Sequence, residues 1–186
     1  MAIKHDIKNA LSLTLISSTL ALVVTKSAVA KSVTTEPYQL SVYKKQVVDA
    51  QLGKFKVDEN RLDANSRKIE LSFVKLPSYS ASPKAPIVYL SGGPGGSATG
   101  TAKRSRYKLF DELRKVSDVI LFDQRGTGLS NDLPECKTKS APIDTPSIEK
   151  EVREQVIKDI KYCVQQWSAD NFDLNGYNTK QNAADI

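Results

Sequence analysis

Ile87-Val88-Tyr89-Leu90-Ser91-Gly92-Gly93-Pro94-Gly95-Gly96-Ser97 joins a short apolar run to a glycine cluster. Glycines at the end of a strand serve backbone freedom: positive φ, close approach and outward-facing N–H groups. Such a loop can hold an anion, either a phosphate or the oxyanion of an acyl-transfer reaction. Ile87–Leu90 reads as a strand of the kind buried inside a parallel sheet. Downstream, Tyr107, Leu109, Phe110, Leu113 and Val116 recur at roughly helical spacing. Val119-Ile120-Leu121-Phe122 is a second apolar run, ending in Asp123-Gln124-Arg125-Gly126-Thr127-Gly128. Strand, glycine loop, helix, strand is a βαβ unit, so the fold class is α/β with a sheet that is at least partly parallel.

Upstream of that unit, residues 31–45 read as a polar approach segment. Leu52 to Val57 alternates like a strand, with Asp58-Glu59-Asn60 as a turn. Ile69, Leu71 and Phe73 alternate with Glu70 and Ser72, predicting a half-buried strand. Pro77 to Pro86 is a loop rich in Ser and Pro. Beyond the unit, 131–146 is a Pro-punctuated loop, and Thr145 can cap a helix whose first position is Pro146. Ile148, Val152, Val156, Ile160, Cys163 or Val164, and Trp167 then form an apolar stripe expected to pack in the core. Asn175-Gly176 marks a turn, and Thr179 is expected to cap a last helix beginning at Gln181.

Residues 1–30 read as a secretory signal. Lys4 and Lys8 supply the basic start, Ala10 to Val24 the mostly apolar middle, and Ala28-Val29-Ala30 the small-x-small pattern cut after Ala30. A membrane anchor is the alternative, but fifteen helical residues reach only about 22 Å against a hydrocarbon core of roughly 30 Å. No stable membrane anchor is expected after cleavage, and the protein is expected to be exported, periplasmic or extracellular. Losing Lys4, Lys8, Lys26 and Asp6 leaves 24 basic and 20 acidic residues of the 27 and 21 in the whole chain. That scattered, mild balance lacks the concentrated stripe of a nucleic-acid surface, so no nucleic-acid partner is expected. Two cysteines, Cys136 and Cys163, in an exported chain invite a disulfide. Two buried thiols or half a zinc site are the alternatives; with His5 in the leader and no third cysteine, zinc is disfavoured.

Two readings of the glycine loop compete. Gly93-x-Gly95-x-x-Ala98 fits a dinucleotide fingerprint, with Asp123 where a ribose-binding acid would sit. Against it, Pro94 stiffens the turn that must wrap the pyrophosphate, Gly100 and Thr101 prolong the loop instead of opening a helix, and two strands precede it. The other reading takes both glycine loops together. Ser91-Gly92-Gly93-Pro94-Gly95-Gly96 followed by Asp123-Gln124-Arg125-Gly126-Thr127-Gly128-Leu129-Ser130 resembles the α/β-hydrolase superfamily. More narrowly, it is similar to the secreted serine aminopeptidases related to proline iminopeptidase and tripeptidyl aminopeptidase. There, Gly-Gly-Pro-Gly follows the third strand and Asp-Gln-Arg-Gly the fourth. Tyr177-Asn178-Thr179-x-x-Asn182-Ala183-Ala184-Asp185 resembles the segment before the nucleophile, and Cys136 and Cys163 fall where secreted members carry a cysteine pair. Proline iminopeptidases usually begin the first loop with histidine; Ser91 leans the resemblance toward the tripeptidyl-type relatives.

The resemblance implies an α/β-hydrolase fold over 31–186, its N-terminal portion only, with about four strands and flanking helices. It implies acyl transfer through a serine, a histidine and an acid, acting on a peptide or aminoacyl substrate without cofactor or metal. A backbone N–H near Gly92 or Gly93 would serve the oxyanion hole, where a side chain would obstruct the carbonyl. Pro94, Gly95, Gly96, Gln124 and Gly126 belong to the structural motifs, and Asp123 and Arg125 are expected to satisfy local backbone groups and each other. The triad cannot be built from these residues. Gly95-Gly96-Ser97-Ala98-Thr99 and Gly128-Leu129-Ser130-Asn131-Asp132 both lack the last glycine of a nucleophile elbow, and 31–186 holds no histidine. The triad is therefore expected beyond Ile186. In the hydrolase sheet the nucleophile's strand lies beside the third strand. Without it, Ile87–Leu90 would present an apolar edge, and 31–186 alone is expected to be inactive and poorly soluble.

Overall fold

The computed structural model describes residues 33–93, 95–130, 133–138 and 149–186. The leader and its cut after Ala30, Pro94, and the cap at Thr145-Pro146 with Ile148 lie outside the described residues. All the elements below belong to one unit, Ser32–Ile186.

Five strands form one mixed sheet: β1 (Thr35–Ser41), β2 (Val47–Asp58), β3 (Lys68–Leu76), β4 (Lys84–Leu90) and β5 (Ser117–Asp123). Their spatial order is β1-β2-β3-β5-β4. β1 to β3 form an antiparallel meander, β3 pairs antiparallel with β5, and β5 pairs in parallel with β4. The class is α/β, as the βαβ pattern predicts. Four helices accompany the sheet: α1 (Ala98–Ala102), α2 (Tyr107–Leu113), α3 (Glu149–Ala169) and α4 (Thr179–Ala183).

The segment expected to be a polar approach is instead β1, followed by a 3-10 turn at Tyr43–Lys45, so there is one strand more than expected. Its side chains are mostly exposed, and only Leu40 is fully buried. An edge strand needs its backbone ladder rather than an apolar face, and that leaves little trace in residue types.

The core forms because the pleat sends alternate residues to opposite faces. Ala50, Leu52, Val74, Leu76, Val119 and Leu121 point to the face that α1 and α2 cover through Ala98, Ala102, Tyr107 and Phe110. Phe110 is completely enclosed, with its ring 4.8 Å from that of Tyr89. Burying such a ring contributes about 2–3 kcal/mol. Ile69, Leu71 and Phe122 occupy the other face, backed by Phe55, Val57 and Phe73. β3 is therefore buried on both faces at Leu71 and Ser72, with Ser72, Val74 and Leu76 enclosed on one face and Phe73 and Lys75 partly exposed on the other, so it departs from the expected alternation at Ser72.

Two further expectations change. Ile87–Leu90 is not enclosed: β4 ends the sheet, and Val88 and Leu90 stand 47% and 41% exposed. The α3 stripe is not core either: Val156, Ile160 and Val164 are exposed, and Val152, Cys163 and Trp167 only half-buried. Helical periodicity shows that a face is apolar but not what covers it. The α3 helix is tied by the Cys136–Cys163 disulfide, with Cα atoms 5.6 Å apart, and by the Trp167 indole N–H donating to the Pro134 carbonyl at 2.9 Å. The disulfide is thus present, and the two thiol alternatives fall away. Among the described residues, no helix is long and apolar enough to cross a membrane.

Candidate functional site

The parallel pair β4–β5 sends both glycine-bearing segments out of the same end of the sheet. The first runs from Ser91 into α1. Gly93 and Gly95 take φ of +67° and +87°, a region that side chains resist, which explains glycine at both positions. A Cβ at Gly92 or Gly93 would meet nothing within 4 Å, so the loop's front is open space. Ser97 then caps α1, its hydroxyl accepting from the Gly100 N–H at 3.0 Å. The helix opens at Ala98, correcting the expectation that Gly100 and Thr101 prolong the loop: the serine cap starts it early.

The second segment leaves β5 at Asp123, which is wholly buried. Its carboxylate accepts from the Thr99 N–H at 2.9 Å, the Thr99 hydroxyl at 2.5 Å and the Leu129 N–H at 2.9 Å. One acid therefore clamps the first turn of α1 to the 3-10 turn at Gly128–Ser130. The same geometry weighs against a ribose-binding role, because both oxygens are spent on protein donors. Ser130 extends the clamp to the sheet: its hydroxyl donates to the Asp123 carbonyl at 2.6 Å and accepts from the Ser72 N–H at 2.8 Å.

Arg125 does not pair with Asp123, contrary to expectation. It turns to the opposite side and meets Asp185, 60 residues later, through Nε and Nη2 at 2.8 Å each. Its Nη1 donates to the carbonyls of Glu59 at 2.5 Å and Gly176 at 2.6 Å. Arg61 reaches the same Asp185 carboxylate at 2.5 Å and also binds Gln181. Asn178 caps α4 by accepting from the Gln181 N–H at 3.0 Å, so the cap is one residue earlier than the expected Thr179. Gly176 is required by close approach, since a Cβ there would run into the Glu59 carbonyl.

Glu59, read from sequence as part of a turn, is a second buried hub. It accepts from Arg67 Nε and Nη2 at 2.8 and 2.6 Å, the Asp173 N–H at 3.0 Å and the Tyr177 hydroxyl at 3.0 Å. Burial pushes its carboxyl up, but these donors outweigh it and hold the group below its ordinary 4.5. Burial and the neighbouring Glu59 in turn raise the Tyr177 phenol above its ordinary 10.0. A depressed acid stabilises the fold above its unfolded pKa, and that contribution is lost as pH falls through the folded value. Stability should therefore decline below about pH 4.5, and Glu59→Gln should flatten that acid limb. Urea midpoints from pH 6 to pH 3 (roughly the carboxylate range) check this; identical slopes in both proteins would refute it.

The residues expected to matter are thus divided between two nodes. Gly92, Gly93, Gly95, Gly96 and Asp123 stand at the α1 end; Arg125 stands with α4, and Gln124 and Gly126 lie on the connection. Cys136 and Cys163 anchor α3. Sequence reading gave no role to Arg61 or Arg67 and did not foresee the ion pairs of Glu59 and Asp185, because their partners lie far away in the chain or carry no local signal. Among the described residues, no group of three or more His, Cys, Asp or Glu could hold a metal ion. No protein-family model matches the chain, and no curated protein matches it.

Proposed function

We propose that this chain forms the N-terminal portion of an α/β-hydrolase domain in an exported serine hydrolase, an aminopeptidase releasing residues or short peptides. The observation that carries the reading is the convergence of the two glycine segments at one end of the parallel β4–β5 pair, joined by Asp123. In that reading the open-fronted N–H groups near Gly92 and Gly93 stabilise the oxyanion of the tetrahedral intermediate, each donor contributing about 3 kcal/mol. Asp123 holds the loop in place without touching the substrate. The serine, acid and histidine come from residues that this chain does not contain. The exposed β4 edge is where the resemblance puts the nucleophile's strand, and its apolar side chains suit a neighbouring strand. The Cys136–Cys163 disulfide agrees with an oxidising compartment, as export requires.

The test is made on the native gene product purified from its source cells. Its intact mass is measured, and it is treated with a fluorophosphonate that labels activated serines. The expected result is a mass well above that of residues 31–186, one labelled serine, and hydrolysis of aminoacyl or tripeptidyl anilides. A product of the short mass that neither labels nor hydrolyses them would overturn the reading.

A further inference from the structure

The glycine loop has a neighbour that its proposed role does not use. Tyr89, Ser91, Gly92, Thr101, Arg104, Ser105 and Arg106 line an open cleft of about 400 Å³. Lys103-Arg104-Ser105-Arg106-Tyr107-Lys108, running from the end of α1 into the first turn of α2, places four cations in six residues without an acid, a local exception to the otherwise scattered charge. Arg104 and Arg106 are exposed, and among the described residues neither guanidinium has an ion pair or side-chain hydrogen bond. The nearest acid in sequence, Asp111, is already engaged by the Tyr79 hydroxyl at 2.6 Å, the Tyr107 hydroxyl at 3.2 Å and Arg114 at 3.5 Å. The lining also carries two hydroxyls, Ser91 Oγ and Thr101 Oγ1, 3.3 Å apart, of which Thr101 already donates to the Ser97 carbonyl at 2.8 Å. No carboxylate is among the described lining residues. Elsewhere in this protein Arg61, Arg67 and Arg125 each meet a carboxylate. Here two arginines line one cleft without such a partner.

We infer that this cleft binds the carboxylate of a peptide, with Arg104 and Arg106 as its cationic wall and the Ser91 hydroxyl as a further donor. Guanidinium groups suit the task because their planar fork matches two carboxylate oxygens at once. Ser91 and Gly92 belong both to the glycine loop and to the cleft, so a peptide held here lies beside the loop. The inference deepens the proposed function by naming an acidic peptide end or side chain as a substrate feature, and in that sense it rests on it. Its binding step, however, is independent of any turnover.

The test is equilibrium binding by isothermal titration to the native gene product and to its Arg104→Gln/Arg106→Gln variant. Three probes are compared: N-acetyl-Ala-Ala with a free carboxylate, its C-terminal amide, and N-acetyl-Ala-Asp amide. None has the free amino terminus from which an aminopeptidase cuts. The free acid should bind about tenfold tighter than the amide, the order expected for two partly solvated charge pairs. The double variant should abolish that preference, and added salt should weaken it. Recovery of tight binding by the Asp-containing amide assigns the acidic side chain as a source of the carboxylate. Its failure to bind assigns the chain terminus. Equal binding of free acid and amide, or a preference that survives the double variant, overturns the inference. Circular dichroism of the variant confirms that it is folded. Hydrolysis of a neutral aminoacyl anilide, which has no carboxylate, reports on the hydrolase reading separately.

Discussion

Arg125→Met is expected to destabilise the protein by about 3–5 kcal/mol, the range for breaking a buried ion pair from one side. The Arg125 and Asp185 side chains are both fully buried. Methionine fills much of the same volume, so lost packing is a minor part of the effect. What changes is hydrogen bonding: the Glu59 and Gly176 carbonyls lose their guanidinium donor, and Asp185 is left to Arg61 alone. Each orphaned buried acceptor costs about 1–3 kcal/mol. Arg125→Lys should recover little, because a single ammonium cannot span a carboxylate and two carbonyls that the planar fork reaches together.

A mutant cycle separates this explanation from a general packing defect. Asp185→Leu in the Arg125→Met background removes the stranded charge, so the double variant should be more stable than the sum of the single effects predicts. For residues in direct contact the coupling is typically 0.5–3 kcal/mol. Urea unfolding of the native gene product and the three variants measures it. An Arg125→Met protein within about 1 kcal/mol of the parent, or strictly additive effects, would remove Arg125 from its place as the tie between β2, the turn at Gly176 and α4.

The βαβ unit was readable because its signals are local. Ile87–Leu90 and Val119–Phe122 are uninterrupted apolar runs, each followed by a glycine-bearing loop, and both are strands in the structure. Glycine permits the positive φ that Gly93 and Gly95 take, although Gly92 and Gly96 do not use it. The connections were not readable for the opposite reason. Arg125 and Asp185 are 60 residues apart, and Glu59 and Tyr177 are 118 apart. Nothing in their local sequence distinguishes them from solvated charges. Proximity in sequence suggested that Asp123 and Arg125 pair with each other, but residues two apart share a face only while the chain stays extended. Here the chain turns after Asp123, and the two side chains serve different elements. The same limit applies to α3: periodicity identifies its apolar stripe, yet the exposure of Val156 and Ile160 is a property of the surroundings.

Asp123→Ala should cost about 2–4 kcal/mol, since it strands two backbone N–H groups and one hydroxyl that a single carboxylate now satisfies. Asp123→Asn should cost less but remain damaging. Its carbonyl oxygen can keep the Thr99 N–H, while its NH2 group then faces the Leu129 N–H, donor against donor. Because the carboxylate joins α1 to the turn at Gly128–Ser130, the damage should be directional. Amide exchange at Thr99 and Leu129 should quicken well before that of the β2–β3 ladder, as a local opening rather than global unfolding. Uniform acceleration across the sheet, or protection of both amides in the alanine variant, would contradict the clamp. The consequence for catalysis follows from the same geometry. If the N–H groups near Gly92 and Gly93 receive an oxyanion, they must be held in place before the charge develops, and the element holding them is the α1 end that Asp123 fixes. In the proposed hydrolase Asp123→Asn should therefore lower kcat by about 10²-fold or more while leaving KM nearly unchanged. A loss confined to KM would instead place Asp123's influence on substrate binding.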